Sequence, residues 1–461
     1  MKIVGIQKIH MVGIGGIGMS GIAEILLNQN FDVTGSDLYE NENVIRLRNN
    51  NIKITIGHSA QNVAGADVVV YSSAVTKNNV EIKEAKRIGI PVVKRAEMLA
   101  EITRLHYTIG VAGTHGKTTT TSMLGLILIK AKMDPTIIVG GKLHAFGDSN
   151  ARLGKGQFMV VEADEYDRSF LKLTPTIALL TNIDYDHVDI YKSINEVKTA
   201  FVEYSNKIPF YGFVVVCDDD SNIQNIKKSI NANIITYGIN RRSQYQARNI
   251  KEKGGEVSFS LYIKGNRIAE IDLKIPGEHN VRNALGAIAT AHKIGIKMDA
   301  ILSGIKAFKG VYRRFQIIGR YNDNVIVDDY AHHPTEIKAS IDAAKKAWVN
   351  NRIIAIFQPH TYTRTLEMYE HFAMSLIHAD VIIITDVYPA RERKIMNVSG
   401  KMIVDACKML KNNNVYYVKS IDMIPHVLKN ILNHQDTVLF MGAGDIYTVI
   451  PKCCDMMMNH E

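Results

Sequence analysis

Residues 107–122 constrain the fold more than any other stretch. They read as an apolar strand, YTIGVA, a tight turn, and the start of a long apolar helix, with Gly113, Thr114, His115, Gly116, Lys117, Thr118 and Thr119 across the turn. Free backbone N–H groups and the helix dipole make such a turn an anion site. Lys117 adds a mobile positive charge, and the Thr118 hydroxyl is a natural ligand for magnesium carried on nucleotide phosphates. The loop is a shortened P-loop. Val111 stands where the longer pattern has its first glycine, and Gly113 lies closer in. Lys117 itself reads as an exposed loop lysine that contributes little packing.

The same grammar occurs near the start of the chain. KIHMV is a strand, the turn that follows holds Gly13, Gly15, Gly16 and Gly18, MSGIAEILLNQN is a helix, and FDVTGSD is a second strand. Gly13, Gly15 and Gly18 satisfy GxGxxG, and Asp37 lies about 20 residues on, where an acidic group often meets a ribose. Alone, this is the signature of an NAD-dependent dehydrogenase. Its general physical content is a diphosphate on a helix N-terminus, which suits a UDP-sugar equally well. A glycine turn used only for helix–strand packing is the bland alternative. Further βα units lead to a boundary near Leu105. Ser72 and Ser73 close a strand at the edge where parallel sheets bind ligands, although lone serines also serve turns.

After the P-loop helix, expected over residues 119–132, come the strands TIIVGG, QFMVVEADE and TIALLTNID. They carry Glu162, Asp164 and Glu165, then Asp184, Asp186 and His187, to strand ends beside the phosphate turn. A metal on ATP needs a carboxylate there; a helix cap or solvated turn is the alternative. Over residues 246–275 alternation with Gly-Gly and Gly-Asn turns indicates antiparallel hairpins. PGEHN then opens a small-residue helix, where Asn280 is either its N-cap or a partner for a base. Paired arginines such as Arg313 and Arg314 are usually solvated, but near a phosphate site one can stabilise a transferring phosphoryl group. The last third is another α/β unit. Asp328, Asp329, Tyr330, His332 and His333 sit at one strand end, and His360, Thr361 and Arg364 at another. These histidines lack a third ligand at zinc-site spacing, so a substrate cleft is the better reading.

Composition narrows the function classes. A chain of 461 residues, 46% hydrophobic and 22% charged, is an ordinary globular protein, and at about 100–200 residues per domain it holds two to four domains. The formal charge of +9 (55 basic against 46 acidic residues) is scattered, and no nucleic-acid-binding module accompanies it. Anionic small substrates are therefore favoured over nucleic acid. No apolar run reaches the roughly 18 residues that span a bilayer, and MKIVGIQKIHMVGIGG reads as a strand entering a turn, not a signal peptide. Cys217, Cys407, Cys453 and Cys454 form no CxxC pair, so a reducing, cytoplasmic setting without membrane contact is expected.

Taken in order, GxGxxG, GTHGKTTT, VEADE, TNIDYDH, PGEHNVRN, YRRF, DDYAHHPTE and FQPHTYTRT resemble the Mur ligase family, specifically its alanine-adding branch, over essentially the whole chain. The resemblance implies an α/β fold of three domains: a Rossmann-like UDP-substrate domain over residues 1–105, a central P-loop ATPase with a mostly parallel sheet plus antiparallel hairpins over 106–318, and a C-terminal Rossmann-like domain over 319–461. It implies ATP and Mg2+ as cofactors, and UDP-N-acetylmuramate and L-alanine as substrates of a ligation through an acyl phosphate. A monomer or weak homodimer is expected.

Residue by residue, the resemblance places Gly13, Gly15, Gly16, Gly18, Asp37, Ser72 and Ser73 on the UDP substrate, and residues 113–119 on ATP. Thr118 and Glu162 would hold one magnesium, and Glu162 with His187 a second. Asn280 and Asn283 would contact adenine beside His279, Asp329 the ribose, and Arg314 the γ-phosphate. Tyr330, His332, His333, His360 and Arg364 would line the alanine and muramoyl pocket, with Arg364 pairing the alanine carboxylate. Thr361 departs from the family pattern, which often has a second arginine there. Val202 stands where several sister ligases use a carbamylated lysine, in keeping with the alanine-adding branch. The compact link over residues 169–175 favours alanine over a tripeptide-recycling ligase. A dehydrogenase or a non-catalytic nucleotide-binding regulator leaves Lys117, Glu162 and His187 without a purpose.

Overall fold

The structure, a computed structural model, describes residues 5–72, 74–104, 106–143, 149–186, 190–321, 323–390, 392–410 and 414–458. The chain packs as two compact units: residues 1–184, 194–243 and 286–304 form one, and residues 185–193, 244–285 and 305–461 the other.

The first unit opens with a five-stranded sheet in the order 3-2-1-4-5. Its strands Lys53–Ile56, Asp32–Asp37, Lys8–Val12, Val68–Tyr71 and Val92–Lys94 are all parallel. This is the doubly wound pattern, whose ligand crevice lies past the strand ends where the order reverses. Here the reversal falls between Lys8–Val12 and Val68–Tyr71, directly below the glycine turn. Ile9, Met11 and Val12 are fully buried because the central strand is covered on both faces.

The same unit carries the P-loop sheet. Strand Tyr107–Ala112 pairs in parallel with Phe158–Ala163 on one side and Ile177–Leu180 on the other. Phe213–Cys217 and Asn233–Gly238 extend the second side, and Thr136–Leu143 the first. The central placement of Tyr107–Ala112 brings two neighbouring strand ends, one acidic and one ending in Thr181 and Asn182, against the phosphate turn. An antiparallel edge strand, Ser149–Arg152, pairs with Thr136–Leu143. Its polar sequence SNAR gives no strand signal.

In the second unit, Tyr245–Lys253, Glu256–Ile263 and Asn266–Leu273 form the expected antiparallel hairpins. A six-stranded sheet follows, parallel through Asn324–Asp329, Asp436–Met441, Arg352–Phe357, Val381–Thr385 and Val415–Val418. Gln316–Tyr321 is its antiparallel edge. Successive side chains point to opposite faces. Val325, Val327, Phe357 and Leu439 pack against helices Pro334–Ala347 and Tyr362–Leu376. Ile326, Ile354, Ile356 and Phe440 pack against Ile424–Ile431 and Ile450–Met458. At about 1.5–3 kcal/mol for each fully buried large apolar side chain, these two layers hold the strand ends that carry Asp329, Tyr330 and His360. The sheets thus give the mixed, mostly parallel α/β fold expected, with hairpins added.

Candidate active site

The phosphate turn is built from the strand outward. Gly113, at φ +142, leaves no room for a side chain, since a Cβ there would lie 2.0 Å from Thr181 Oγ1. Gly116 is left-handed at φ 80 and precedes helix Lys117–Lys130, which starts at Lys117, two residues earlier than the sequence suggests. The neighbouring strand end clamps the turn. His115 N donates to Asn182 Oδ1 (2.8 Å), Asn182 Nδ2 donates to His115 O (3.0 Å), and Thr181 Oγ1 donates to the same carbonyl (2.6 Å). Asp184 N donates to Thr114 Oγ1 (2.9 Å), and the His115 ring lies 3.3 Å from the Asp184 carboxylate. Asn182 stands in a recognised motif but received no role from sequence; only the fold shows that it splints the loop.

Lys117 corrects the expectation of an exposed loop lysine. It is the first helical residue, and its side chain is only 14% exposed. Nζ donates to Gly113 O (2.7 Å) and to Glu165 Oε2 (2.6 Å), with Asp164 3.7 Å away. Burial pulls its pKa down, but the charges of Glu165, Asp164 and Glu162 outweigh it and hold the pKa above the usual lysine value. Lys117 is therefore a fixed cation. Glu162, next in that acidic strand end, accepts from Gly140 N (2.7 Å). Thr118 and Thr119 are buried in the first helical turn. A threonine hydroxyl with a carboxylate nearby is a hard-oxygen donor set that suits Mg2+. His187, the expected second metal ligand, lies outside the described residues.

At the first glycine turn, Gly13 N and Ile14 N donate to Ser36 O (2.8 and 3.1 Å), and Gly15 N donates to Asp37 Oδ2 (2.8 Å). Asp37 Oδ1 accepts from Leu38 N (2.8 Å). Asp37 thus braces the loop as well as standing where a ribose is expected. Gly16 is the N-cap position of helix Ile17–Asn28. Ser72 accepts from Ala74 N, a turn bond. Ser73 lies outside the described residues.

The remaining expected groups fall in the second unit. Helix Glu278–Lys293 begins before Asn280, so Asn280 is not its N-cap. Its side chain donates back to Pro276 O (2.7 Å) and accepts from Asn283 Nδ2 (3.3 Å), and both asparagines are buried. Burial, with the Arg282 charge, lowers His279 to about 4, leaving it neutral. Ser340 Oγ donates to Asp329. Burial raises Asp329, and likewise its neighbour Asp328, to about 6.

Arg314 lies over the Tyr330 ring, 4.9 Å from its centroid, with Glu336 3.8 Å away. Arg313 is held differently: it donates to Gly442 O (2.6 Å) and Gly444 O (3.3 Å) and covers Tyr447 at 4.3 Å. The two arginines thus divide into an anchor and a presented group.

Tyr330, His332, His360 and Arg364 are brought together. The His332 ring is 5.4 Å from Tyr330 and 6.1 Å from His360. Burial lowers His332 to about 3 and His360 to about 4, and Arg364 reinforces both shifts. Two neutral imidazoles thus stand beside a guanidinium, a chemistry that can receive a carboxylate. His333 caps helix Pro334–Ala347, where Thr335 N donates to its Nδ1 (3.4 Å). Thr361, at φ 66, caps helix Tyr362–Leu376 through its Oγ1. An arginine at that position would forgo this cap.

Three family models match: "Mur ligase family, catalytic domain" over residues 8–107, "Mur ligase middle domain" over 111–291, and "Mur ligase, glutamate ligase domain" over 313–444. A UDP-N-acetylmuramate--L-alanine ligase of Persephonella marina is 47% identical over 457 residues, covering 99% of this chain and 98% of that one. Its counterpart from Geotalea uraniireducens is 49% identical, covering 96% of each. Among solved structures, a UDP-N-acetylmuramate-alanine ligase from Thermotoga maritima superposes with a TM-score of 0.81 at 31% identity, covering 98% of this chain and 100% of that one. A murein peptide ligase from Psychrobacter arcticus gives 0.70 at 25% identity, covering 98% and 99%.

Proposed function

The chain belongs to the Mur ligase family, and we infer that it ligates L-alanine to the lactyl carboxylate of UDP-N-acetylmuramate in peptidoglycan synthesis, with ATP converted to ADP and phosphate. The observation that carries this reading is the near full-length match, at 47% and 49% identity, to relatives that bear this activity in their names. The tripeptide-recycling alternative draws on more distant structures, such as the murein peptide ligase at 25% identity.

The site supports a two-step reaction. A substrate carboxylate oxygen attacks the γ-phosphorus, the bond to the ADP oxygen breaks, and an acyl phosphate forms. The alanine amine then attacks the acyl carbon, phosphate leaves, and the amine loses a proton. The first step brings two anions together, so it needs concentrated positive charge. Lys117 supplies a fixed cation at the turn, and Arg314 is assigned to the γ-phosphate.

Thr118 and Glu162 are assigned to Mg2+, which when bound neutralises phosphate charge. Residues 113–119 cradle the phosphates, with Asn280, Asn283 and His279 on adenine and Asp329 on the ribose. Gly13, Gly15, Gly16, Gly18, Asp37 and Ser72 take the UDP moiety. Tyr330, His332, His333, His360 and Arg364 take alanine and the muramoyl group. His187 and Ser73 complete the assignment from sequence alone. We take residues 1–105, 106–318 and 319–461 as the three functional domains of a cytoplasmic monomer or weak dimer. Among the described residues no helix is long and apolar enough to cross a membrane.

Phosphate release from ATP tests the reading, with UDP-N-acetylmuramate present and L-alanine, glycine, L-serine or the tripeptide offered in turn. Release is expected with L-alanine. Release with the tripeptide alone would overturn the alanine assignment, and no release at all would overturn the ligase reading.

A further inference from the structure

Arg95 has no role in anything described so far, yet its position is unusual. It is the first residue of helix Arg95–Thr103 and is half-buried. Among the described residues its side chain makes no hydrogen bond or ion pair, although Lys94 and Glu97 beside it both have partners. Its guanidinium packs against the first turn of helix Ile17–Asn28. A Cβ on Gly18 would lie 3.0 Å from Arg95 Nη1 and 3.3 Å from Cζ. The third glycine of the GxGxxG turn thus makes room for a cation, not for close packing onto a strand. Arg95 also lines a cleft with Glu162, Asp164, Ser169 and Phe170.

One arginine therefore stands against the turn assigned to the nucleotide diphosphate and lines the same cleft as the acidic strand end assigned to the metal. A half-buried cation without a counter-charge is costly, and a bound anion relieves that cost. The neighbouring carboxylates are engaged elsewhere, Glu162 with Gly140 N and Asp164 with Tyr166 N. The planar fork of arginine matches a carboxylate with two parallel hydrogen bonds. In a nucleotide sugar whose diphosphate sits on the glycine turn, the anion that must travel toward the γ-phosphate is the lactyl carboxylate.

We propose that Arg95 binds the lactyl carboxylate of the UDP-sugar and orients its oxygen for attack on the γ-phosphorus, Gly18 being the residue that admits the guanidinium. The proposal rests on the ligase reading above. Arg95→Ala then weakens UDP-N-acetylmuramate roughly 10- to 100-fold, the range for a charge-assisted contact, and lowers kcat. The constants for ATP and alanine stay within a few-fold of wild type. Arg95→Lys recovers part of the loss. Gly18→Ala, which keeps the charge but displaces it, reproduces the defect.

The deciding measurement is direct binding of two probes to wild type and Arg95→Ala: UDP-N-acetylmuramate, and UDP-N-acetylglucosamine, which lacks the lactyl group. Weakening confined to the first probe is the expected result. Equal weakening of both would assign Arg95 to the diphosphate and overturn the proposal, as would unchanged binding and kcat in a variant with native thermal unfolding. Wild type lacking alanine-dependent phosphate release would instead overturn the ligase reading itself, so the two failures are distinguishable.

Discussion

Arg364 Nη2 donates to Asp186 Oδ1 across 2.6 Å, and both side chains are buried, 10% and 6% exposed. The ion pair fixes the plane of a fork with five N–H donors, most of which stay available to a ligand. Arg364→Lys keeps the charge but loses the fork, so the KM for L-alanine should rise roughly 10- to 100-fold with the ATP constant nearly unchanged. Asp186→Asn should give a smaller rise by loosening the guanidinium. Initial-rate kinetics with each substrate varied in turn decide this; a shift in the ATP constant instead removes Arg364 from the carboxylate.

Lys117 and Glu165 allow catalysis and stability to be separated. Lys117→Ala removes the phosphate cation and should cut turnover by orders of magnitude. It also breaks the buried ion pair with Glu165, which is 3% exposed, a loss of about 3–5 kcal/mol. The double variant Lys117→Ala with Glu165→Gln should recover most of the stability in urea unfolding and none of the activity. Recovered activity would refute the role of Lys117; unrecovered stability would refute the pair as the source of the loss.

How much of this was legible follows from contact range. Strand Val381–Thr385 is an uninterrupted β-branched run, and the phosphate turn is a continuous string of residues, so both are read directly from sequence. The partners of that turn are not. Glu165 lies 48 residues from Lys117, and Asn182 67 residues from His115. Several polar residues near a strand end could serve in each case, and only the strand order selects one. Gly18 illustrates the converse. Its motif was visible, but the motif's usual meaning, close helix–strand packing, differs from the guanidinium it faces here.

Acid stability follows from groups of opposite sign. His279, His332 and His360 are lowered to about 4, 3 and 4. Each contributes stability that is present above the unfolded pKa of about 6.5 and lost as pH falls toward the folded value. Asp328 and Asp329, raised to about 6, act oppositely: their stability is present below the unfolded value and lost as pH rises through about 6. From pH 7.5 to 5 the histidines lose about 2 kcal/mol each and the aspartates regain about 1 kcal/mol each, so the fold should weaken by a few kcal/mol. Denaturant unfolding at the two pH values measures this, and His360→Gln should shrink the difference. A fold more stable at pH 5 would contradict the balance.

Gly140 offers a test of the metal site that leaves every proposed ligand residue unsubstituted. Its N–H donates to Glu162 Oε1 at 2.7 Å, and a Cβ there would stand 2.8 Å from Glu162 Oε2. The backbone of Gly140 has no positive φ, so alanine is sterically acceptable to the chain and meets only the carboxylate. Gly140→Ala should therefore swing Glu162 off its present position with little loss of stability, within about 1 kcal/mol for an exposed site. If Glu162 holds Mg2+, the concentration needed for half-maximal phosphate release should rise several-fold while saturating Mg2+ restores much of kcat. Glu162→Gln, which removes the ligand charge, should not be rescued in that way. The pair of titrations separates a displaced ligand from an absent one. An unchanged Mg2+ requirement in both variants would take Glu162 out of the metal site altogether.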